Sequence, residues 1–502
     1  MRKVIEPQMQ FGEQGIGNIE INPKSRDDIP QILRGLQYIY ITPEVRERVF
    51  DILEEMRPER SIKGASVKAD ADNGRPGMTQ WKILVLGVLR LGLNTDYDRI
   101  QELANEHNTL RQMLGHSDWE DKGRYELQTL KDNLRLFTPD ILDRINQEVV
   151  RAGHKALKKK PDDVIEGRCD SFVVETDIHF PTDINLLLDA IRKTIEICVD
   201  LSEGNGMGGW RQHAYLQRQF KKLYRKVQKL KHSTSKDEDQ RQRKQAEIQE
   251  AHRLYLELAE SHLERAEQIR LQMPANHTLL SAVLLKKLDD YMVHARRQVA
   301  QIQRRVLQGE PIPHNEKVFS IFEPHTEWIS KGKAGVPMEL GLRVCVMEDS
   351  ARFILHHQVM EKTTDDQVAE SMVIQTKERF PALRIVSMDK GFHSPANQKA
   401  LKEYLECVVL PKKGRLSQAD KARESEPEFV RLRRQHSSVE SAINALEIHG
   451  LDKCLDHGIQ GFKRYVGLAV VARNIQRLGA ILRQQDQEKE RRRRGPYTKK
   501  AA

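Results

Sequence analysis

Two stretches rich in β-branched and aromatic residues, 164–180 and 317–359, are held apart by a long segment of different texture. In that segment, 204–312, apolar residues recur every three or four positions: Leu284, Leu288, Tyr291, Ala295, Val299, Ile302 and Val306, and before them Ile248, Ala251, Tyr255, Leu258, Ala266 and Ile269. This period predicts long antiparallel helices. A sheet drawing on both flanks must therefore close around a helical insertion, which begins after the break Gly204–Gly209. The flank VIEGRCDSFVVETDIHF (164–180) reads as a strand or a hairpin, and Thr182 or Asp183 caps a helix through 184–198. Beyond the insertion, KVFSIFEP, LGLRVCVMED and ARFILHHQVM predict two or three strands, with a Gly/Lys-rich turn at 331–335. A helix (364–380), a strand (383–388) ending at Asp389, a helix (395–405), a strand (406–410) and two long helices (427–449, 456–484) follow. With the insertion removed, the order β-β-β-α-β-α-β-α-α predicts an α/β fold: a mixed sheet with helices on its faces.

The 502 residues exceed what one hydrophobic core usually serves. The texture divides them into a helical domain at 1–160, the first part of the sheet domain at 161–203, the insertion at 204–312, the second part at 313–485, and a basic, disordered tail at 486–502. Within 1–160, the turn Gly74–Thr79 precedes QWKILVLGVLRLGLN (80–94), apolar on nearly every side and so buried on most faces. Thr95 or Asp96 caps a second helix carrying Ile100, Leu103, Leu110 and Leu114, which Gly115 ends. Such a domain suits DNA binding or dimerisation, or is an ordinary helical bundle.

Lys and Arg number 83 against 73 Asp and Glu, a net +10. Spread over the chain this is mild, so local charge decides. Arg211, Arg218, Lys221, Lys222, Arg225, Lys226, Lys229 and Lys231 belong to a run, 211–236, with nine cations and no acid. Its single sign suits contact with phosphates as well as it suits a solvated helix face. No apolar run approaches the ~20 residues that span a bilayer, so no membrane partner is expected. The start of the chain lacks the apolar core of a secretory signal. Five cysteines, odd in number and without a C-x-x-C pair, predict neither a disulfide framework nor a zinc site. A reduced, cytoplasmic protein is expected.

Phosphate-loop, serine-hydrolase and zinc-protease motifs are absent from the sequence. Acidic residues at strand ends stand out instead. Asp389 follows the strand Leu383–Met388 and precedes Gly391, at the end of a strand where open α/β sheets bind ligands. Asp170 interrupts a β-rich run, where a charge is costly unless paired or metal-bound. Asp177 and Asp183 are neighbours with simpler readings as a hairpin residue and a helix cap. Glu440 lies on a late helix beside the apolar stripe Val439, Ile443 and Leu446, in line with Arg433, His436, Ser437, Asn444 and Glu447. Two strand carboxylates and one helix carboxylate can bind two Mg²⁺ or Mn²⁺ ions ~3.5–4 Å apart for displacement at phosphorus. The element order resembles that of the RNase H-like fold.

The segments DSFVVETDIHFPTDINLLLDAIRK (170–193), SIFEPHTEWISKGKAG (320–335), VSMDKGFHSPANQ (386–398) and HSSVESAINALEIHGLDKC (436–454) resemble motifs of bacterial insertion-sequence DDE transposases of the ISNCY type. GRPGMTQWKILVLGVLRLGLNTDYDRIQEL (74–103) resembles their amino-terminal domain. The resemblance implies an RNase H-like catalytic domain with Asp170, Asp389 and Glu440 as catalytic and metal-binding residues. Asp170 is preferred as the first acid because the similar strand carries an Asp-Ser/Thr pair; Asp177 is the alternative. Related transposases often place a basic residue two turns after the Glu. That position is Glu447 here, which leaves Lys453 or Arg433 for the task, or no such feature. Metal-dependent cleavage and strand transfer of element ends are implied, with double-stranded DNA as partner, a dimer or larger assembly on DNA, and a place at the bacterial nucleoid. The alternatives are a nuclease of the same fold without strand transfer, and a catalytically silent DNA-binding descendant.

Overall fold

The computed structural model describes residues 3–6, 8–9, 11–56, 59–62, 65–68, 77–117, 123–273, 278–330 and 338–493. The chain forms two compact units, one of residues 1–177 and 329–502, the other of 178–328. The sequence reading divides it instead at 160, 203, 312 and 485. The expected turn residues 74–76, the turn 331–335 and residues 494–502 lie outside the described residues, while 486–493, expected as part of a disordered tail, are helical.

The first unit opens with α1 (Asp28–Ile41) and α2 (Pro43–Glu54), then an antiparallel pair, β1 (Glu59–Ile62) and β2 (Ala65–Lys68). That pair is a departure from the all-helical reading of 1–160. Next come α3 (Gln80–Gly92), α4 (Tyr97–Glu106), α5 (Asn108–Met113), α6 (Leu127–Leu134), α7 (Pro139–Ala156) and β3 (Ile165–Thr176). Asp96 caps α4 by accepting from the Arg99 amide, as one of the two expected caps. The expected single helix to Gly115 breaks at His107, whose ring caps α5 through the Leu110 amide. β3 is one unbroken strand, so the hairpin alternative for 164–180 is not what forms.

The second unit holds α8 (Asp183–Gly204), α9 (His213–Lys229), α10 (Glu238–Gln272) and α11 (Leu279–Ile302). Thr182 caps α8 through the Asn185 amide, which leaves Asp183 as its first helical residue rather than its cap. The apolar stripe Leu187, Ile191, Ile195 and Cys198 of α8 is buried in one core with Tyr255 and Leu288. This helix therefore belongs with the insertion, although the sequence reading gives it to the sheet. Phe220 of α9 stacks on Tyr255 with ring centroids 4.6 Å apart. Residues 317–324, expected as a strand, form none; Ile321 instead plugs the core of this unit.

The chain returns through β4 (Glu327–Ser330), β5 (Met338–Asp349), β6 (Ile354–Met360), α12 (Asp365–Arg379), β7 (Leu383–Met388), α13 (Pro395–Tyr404) and β8 (Cys407–Val409). Then follow α14 (Gln418–Ser425), α15 (Pro427–His436), α16 (Val439–Leu446), β9 (Lys453–Cys454) and α17 (Gly458–Arg493). The expected helix 427–449 is thus broken at Ser437–Ser438 and ends in a wide turn at Glu447–Leu451. The sheet is mixed and open, in the order β4-β5-β3-β7-β8, with β6 beside β5 and β9 beside the end of β3. β3 runs antiparallel to β5 and parallel to β7, and β7 runs parallel to β8.

One core joins the early helices to this sheet. Every residue of α3 except Lys82 is buried, as its all-round apolar sequence requires. α17 packs on α1, α3 and α7. Where α1 and α17 cross, Gly35 and Gly479 let the backbones touch: a Cβ at Gly35 would lie 2.3 Å from the Ile475 carbonyl oxygen, and one at Gly479 1.9 Å from that of Gln31. A buried amide network fixes the entry to β6. The Asn474 amide donates to the Ile354 carbonyl (2.9 Å) and to Asn146 Oδ1 (2.7 Å), and its oxygen accepts from the Ile354 N–H (3.0 Å). Among the described residues no helix is long and apolar enough to cross a membrane.

Candidate active site

β3 and β7 are held in parallel register with Cys169 opposite Met388. Asp170 and Asp389 are each the next residue, so they stand at one level on neighbouring strands, which run ~4.8 Å apart. Leu383, Val386 and Met388 are buried and drive β7 into the sheet, and Asp389 leaves it by opening a short 3₁₀ turn, Lys390–Phe392. Gly391 in that turn has a reason in packing: a Cβ there would meet Asp365 Oδ2 at 2.9 Å.

Side chains alternate along β3, so Arg168 and Asp170 share a face. Arg168 Nη1 donates to Ser438 Oγ at 2.5 Å and ties the start of α16 to that face. On the neighbouring strand Ser387, the register partner of Arg168, shares a 3.1 Å hydrogen bond with His436 Nδ1 at the end of α15. These two attachments position the α15–α16 break over β3 and β7. Val439, Ala442 and Leu446 are the buried side of α16, and Glu440 in its first turn is exposed.

The result is a cluster of carboxylates. Asp170 is half-buried and its pKa is pushed up to about 6. Burial is the main cause, and the charges of Asp389, Asp365 and Glu440 add to it, against a 2.7 Å hydrogen bond from the Ser171 N–H. Asp389 and Glu440, singled out in the sequence with Asp170, are therefore each within electrostatic reach of it. Asp365, the first residue of α12, was not singled out. Its Oδ1 accepts from Ser171 Oγ at 2.6 Å, so the residue after Asp170 in the chain anchors it. In the sequence Thr364-Asp365-Asp366 reads as a helix start, and indeed Thr364 and Gln367 form a capping box. His436 is pushed down chiefly by burial, with Asp389 and Glu440 pulling the other way.

Asp177 and Asp183 are not part of this cluster. Asp177 lies seven residues beyond Asp170, ~23 Å along an extended strand, and pairs with Lys453 Nζ at 2.7 Å. Lys453 is thereby committed to Asp177, and Arg433 to Glu424 at 3.6 Å. Asp183 pairs with Arg305 at 3.0 Å within the second unit.

All four clustered groups are hard carboxylate oxygens, the donor chemistry that Mg²⁺ and Mn²⁺ prefer, and their mutual repulsion is what a divalent cation would relieve. The donor set fits such ions, although among the described residues no three His, Cys, Asp or Glu side chains are drawn together tightly enough to hold one. In the second unit Arg211, Arg218, Lys221, Lys222, Arg225, Lys226, Lys229 and Lys231 are all exposed, while Phe220 and Val227 turn inward from α9. Among the described residues none of these eight cations forms an ion pair.

No protein-family model matches the chain, and neither a curated protein nor a solved structure is similar to it.

Proposed function

We propose that this chain is a DDE-type transposase of a bacterial insertion sequence, with an RNase H-like catalytic domain. The observation that carries the reading is the level register of Asp170 and Asp389 on parallel neighbours, with Glu440 brought to the same face by α16. Two strand acids and one helix acid in reach of each other are what metal-dependent displacement at phosphorus needs.

Asp170, Asp389 and Glu440 would hold two Mg²⁺ or Mn²⁺ ions. When bound, such ions supply an activated attacking oxygen and charge neutralisation at the leaving oxygen. The protein's own part is positioning. Arg168 and His436 fix the break that presents Glu440, and Asp365 with Ser171 steadies β3 beside Asp170. Water cleaves at the element end, and the freed 3′-hydroxyl then attacks target DNA. Neither step calls for a covalent protein–DNA bond, so the reading needs no Ser or Tyr nucleophile. The exposed, unpaired cations of α9 suit phosphate contacts on double-stranded DNA. Two ends must be held together, which calls for a dimer or larger assembly on DNA. Incubation of the full chain with labelled element-end DNA and Mg²⁺ tests this: nicked and joined products support it, and intact DNA counts against it. Nicking without joining would favour the nuclease reading.

A further inference from the structure

The second unit contains a cavity of about 880 Å³, within the range that takes a small organic ligand. One wall is aromatic. The Trp328 ring lies 5.6 Å from Phe319 and 6.2 Å from Phe180, centroid to centroid. Val227 and Ile248 supply apolar surface from α9 and α10, and Gln245 and Gln249, one turn apart on α10, supply amides. Arg305, Lys317, His232 and His252 line it as well, and Asp183 is the one acid among the described lining residues. Asp183 and Arg305 pair at 3.0 Å and offset each other, so Lys317 is the lining cation without an acid partner among the described residues.

This lining selects a chemistry. A purely apolar guest would leave the amides and Lys317 without partners. An inorganic anion would make no use of three aromatic rings. A flat, heteroaromatic, anionic ligand uses all of it: a π-face to stack, polar edges for amides, and phosphate for Lys317. We propose that this cavity binds a nucleotide, with its base against Phe319 and Trp328 and its phosphate toward Lys317.

Two sources supply that chemistry: a free nucleotide, or an unpaired nucleotide at the end of a DNA strand. The layout of α9 makes the second natural. Its exposed cations Lys221, Lys222, Arg225 and Lys226 lie just upstream of Val227, Gln228 and Leu230, which line the cavity. A backbone tracked by those cations leads to the cavity, and stacking then holds the base with little preference for sequence. The strand source rests on the DNA reading above; the free-nucleotide source does not.

The test uses the full chain and three probes: dAMP, a blunt duplex, and the same duplex with a short single-stranded overhang carrying 2-aminopurine. Overhang DNA should bind about tenfold tighter than blunt DNA, with quenched 2-aminopurine emission, since stacking on an aromatic side chain is worth about that much. Phe319→Leu should remove this preference and leave blunt-duplex affinity unchanged. Lys317→Gln, at an exposed position that carries no folding burden, should weaken the overhang complex several-fold. That pattern supports the strand source. Binding of dAMP that Lys317→Gln weakens, with no overhang preference, supports the free nucleotide. Normal duplex binding with neither overhang preference nor dAMP binding overturns the proposal and leaves the transposase reading standing. Loss of all duplex binding with dAMP still bound sustains the cavity and sinks the DNA reading.

Discussion

Asp170 and Asp389 stand one residue beyond the register pair Cys169–Met388, so two acids face each other across adjacent parallel strands. Among the described residues neither forms an ion pair with a basic side chain, and Asp170 is half-buried. An arrangement of this kind does not serve stability, because like charges at close quarters repel and a buried charge is costly. Asp170→Asn should therefore leave the Tm unchanged or raise it, while cleavage of DNA falls. A Tm lowered by several degrees would show that Asp170 is a structural residue.

The crossing of α1 and α17 is closed to any side chain. Gly35→Ala or Gly479→Ala forces a methyl group into a backbone carbonyl and should cost about 3 kcal/mol or more. Equilibrium unfolding of each variant checks this. An unchanged midpoint would mean that the helices separate more easily than the packing implies.

Asn474 answers both the N–H and the carbonyl of Ile354 inside the core. Asn474→Leu takes the partner from the Ile354 N–H and from Asn146 Oδ1, while Asn146 Nδ2 still donates to the Ile354 carbonyl at 3.0 Å, so the cost should be about 1–3 kcal/mol. Asn474→Asp keeps an acceptor for the N–H but loses the donor to Asn146 Oδ1 and buries a charge, so it should not rescue stability. Melting curves of the two variants side by side would settle the point, and a wild-type Tm for Asn474→Leu would contradict it.

Glu348 on β5 is almost wholly buried, and its nearest cation, Arg168, is spent on Ser438 and stays 3.8 Å away. Burial pushes its pKa up from 4.5 to about 7, with Arg168 opposing only in part. The folded protein thus holds this proton more tightly than the unfolded chain does. Stability should fall as pH rises from about 4.5 to about 7 and stay level above that. Glu348→Gln should match the native protein near pH 4.5 and exceed it by about 2–3 kcal/mol at pH 8. A difference that does not change with pH would refute this account.

If α9 lies on DNA, its cations displace counterions. Changing Lys221, Lys222, Arg225 and Lys226 to Gln should flatten the plot of log affinity against log salt by up to about 3.6 units, at ~0.9 per phosphate contact. A slope that does not move removes α9 from the interface.

The strand Leu383–Met388 and its terminal Asp389 were legible in the sequence because a short apolar run ending in Asp and Gly has few other uses. The long helices were legible from their period. Other features depend on partners that no local pattern names. Residues 80–94 announced burial but not that α17, nearly four hundred residues later, would cover them, so 1–160 looked like a domain of its own. Its removal would strip the sheet's core of α1, α3 and α7, and deleting it cannot test end recognition cleanly. The stretch 317–324 looked like a strand because aromatic and β-branched residues crowd it, yet only Ile321 among them enters the helical core. Asp365 was hidden by its position, since an acid at a helix start needs no further explanation until Ser171 is seen to hold it.

The most direct measurement compares Asp170→Asn with Asp177→Asn in one assay, using labelled element-end DNA, target DNA and Mg²⁺. Asp170 sits in the carboxylate cluster, whereas Asp177 is ~23 Å along the strand and paired with Lys453. Asp170→Asn should lower cleavage and joining by about 10³-fold or more and leave DNA binding nearly intact, as should Asp389→Asn and Glu440→Gln. Asp177→Asn should retain most activity. Full strand transfer by Asp170→Asn would contradict the account, the more so if Asp177→Asn were inactive.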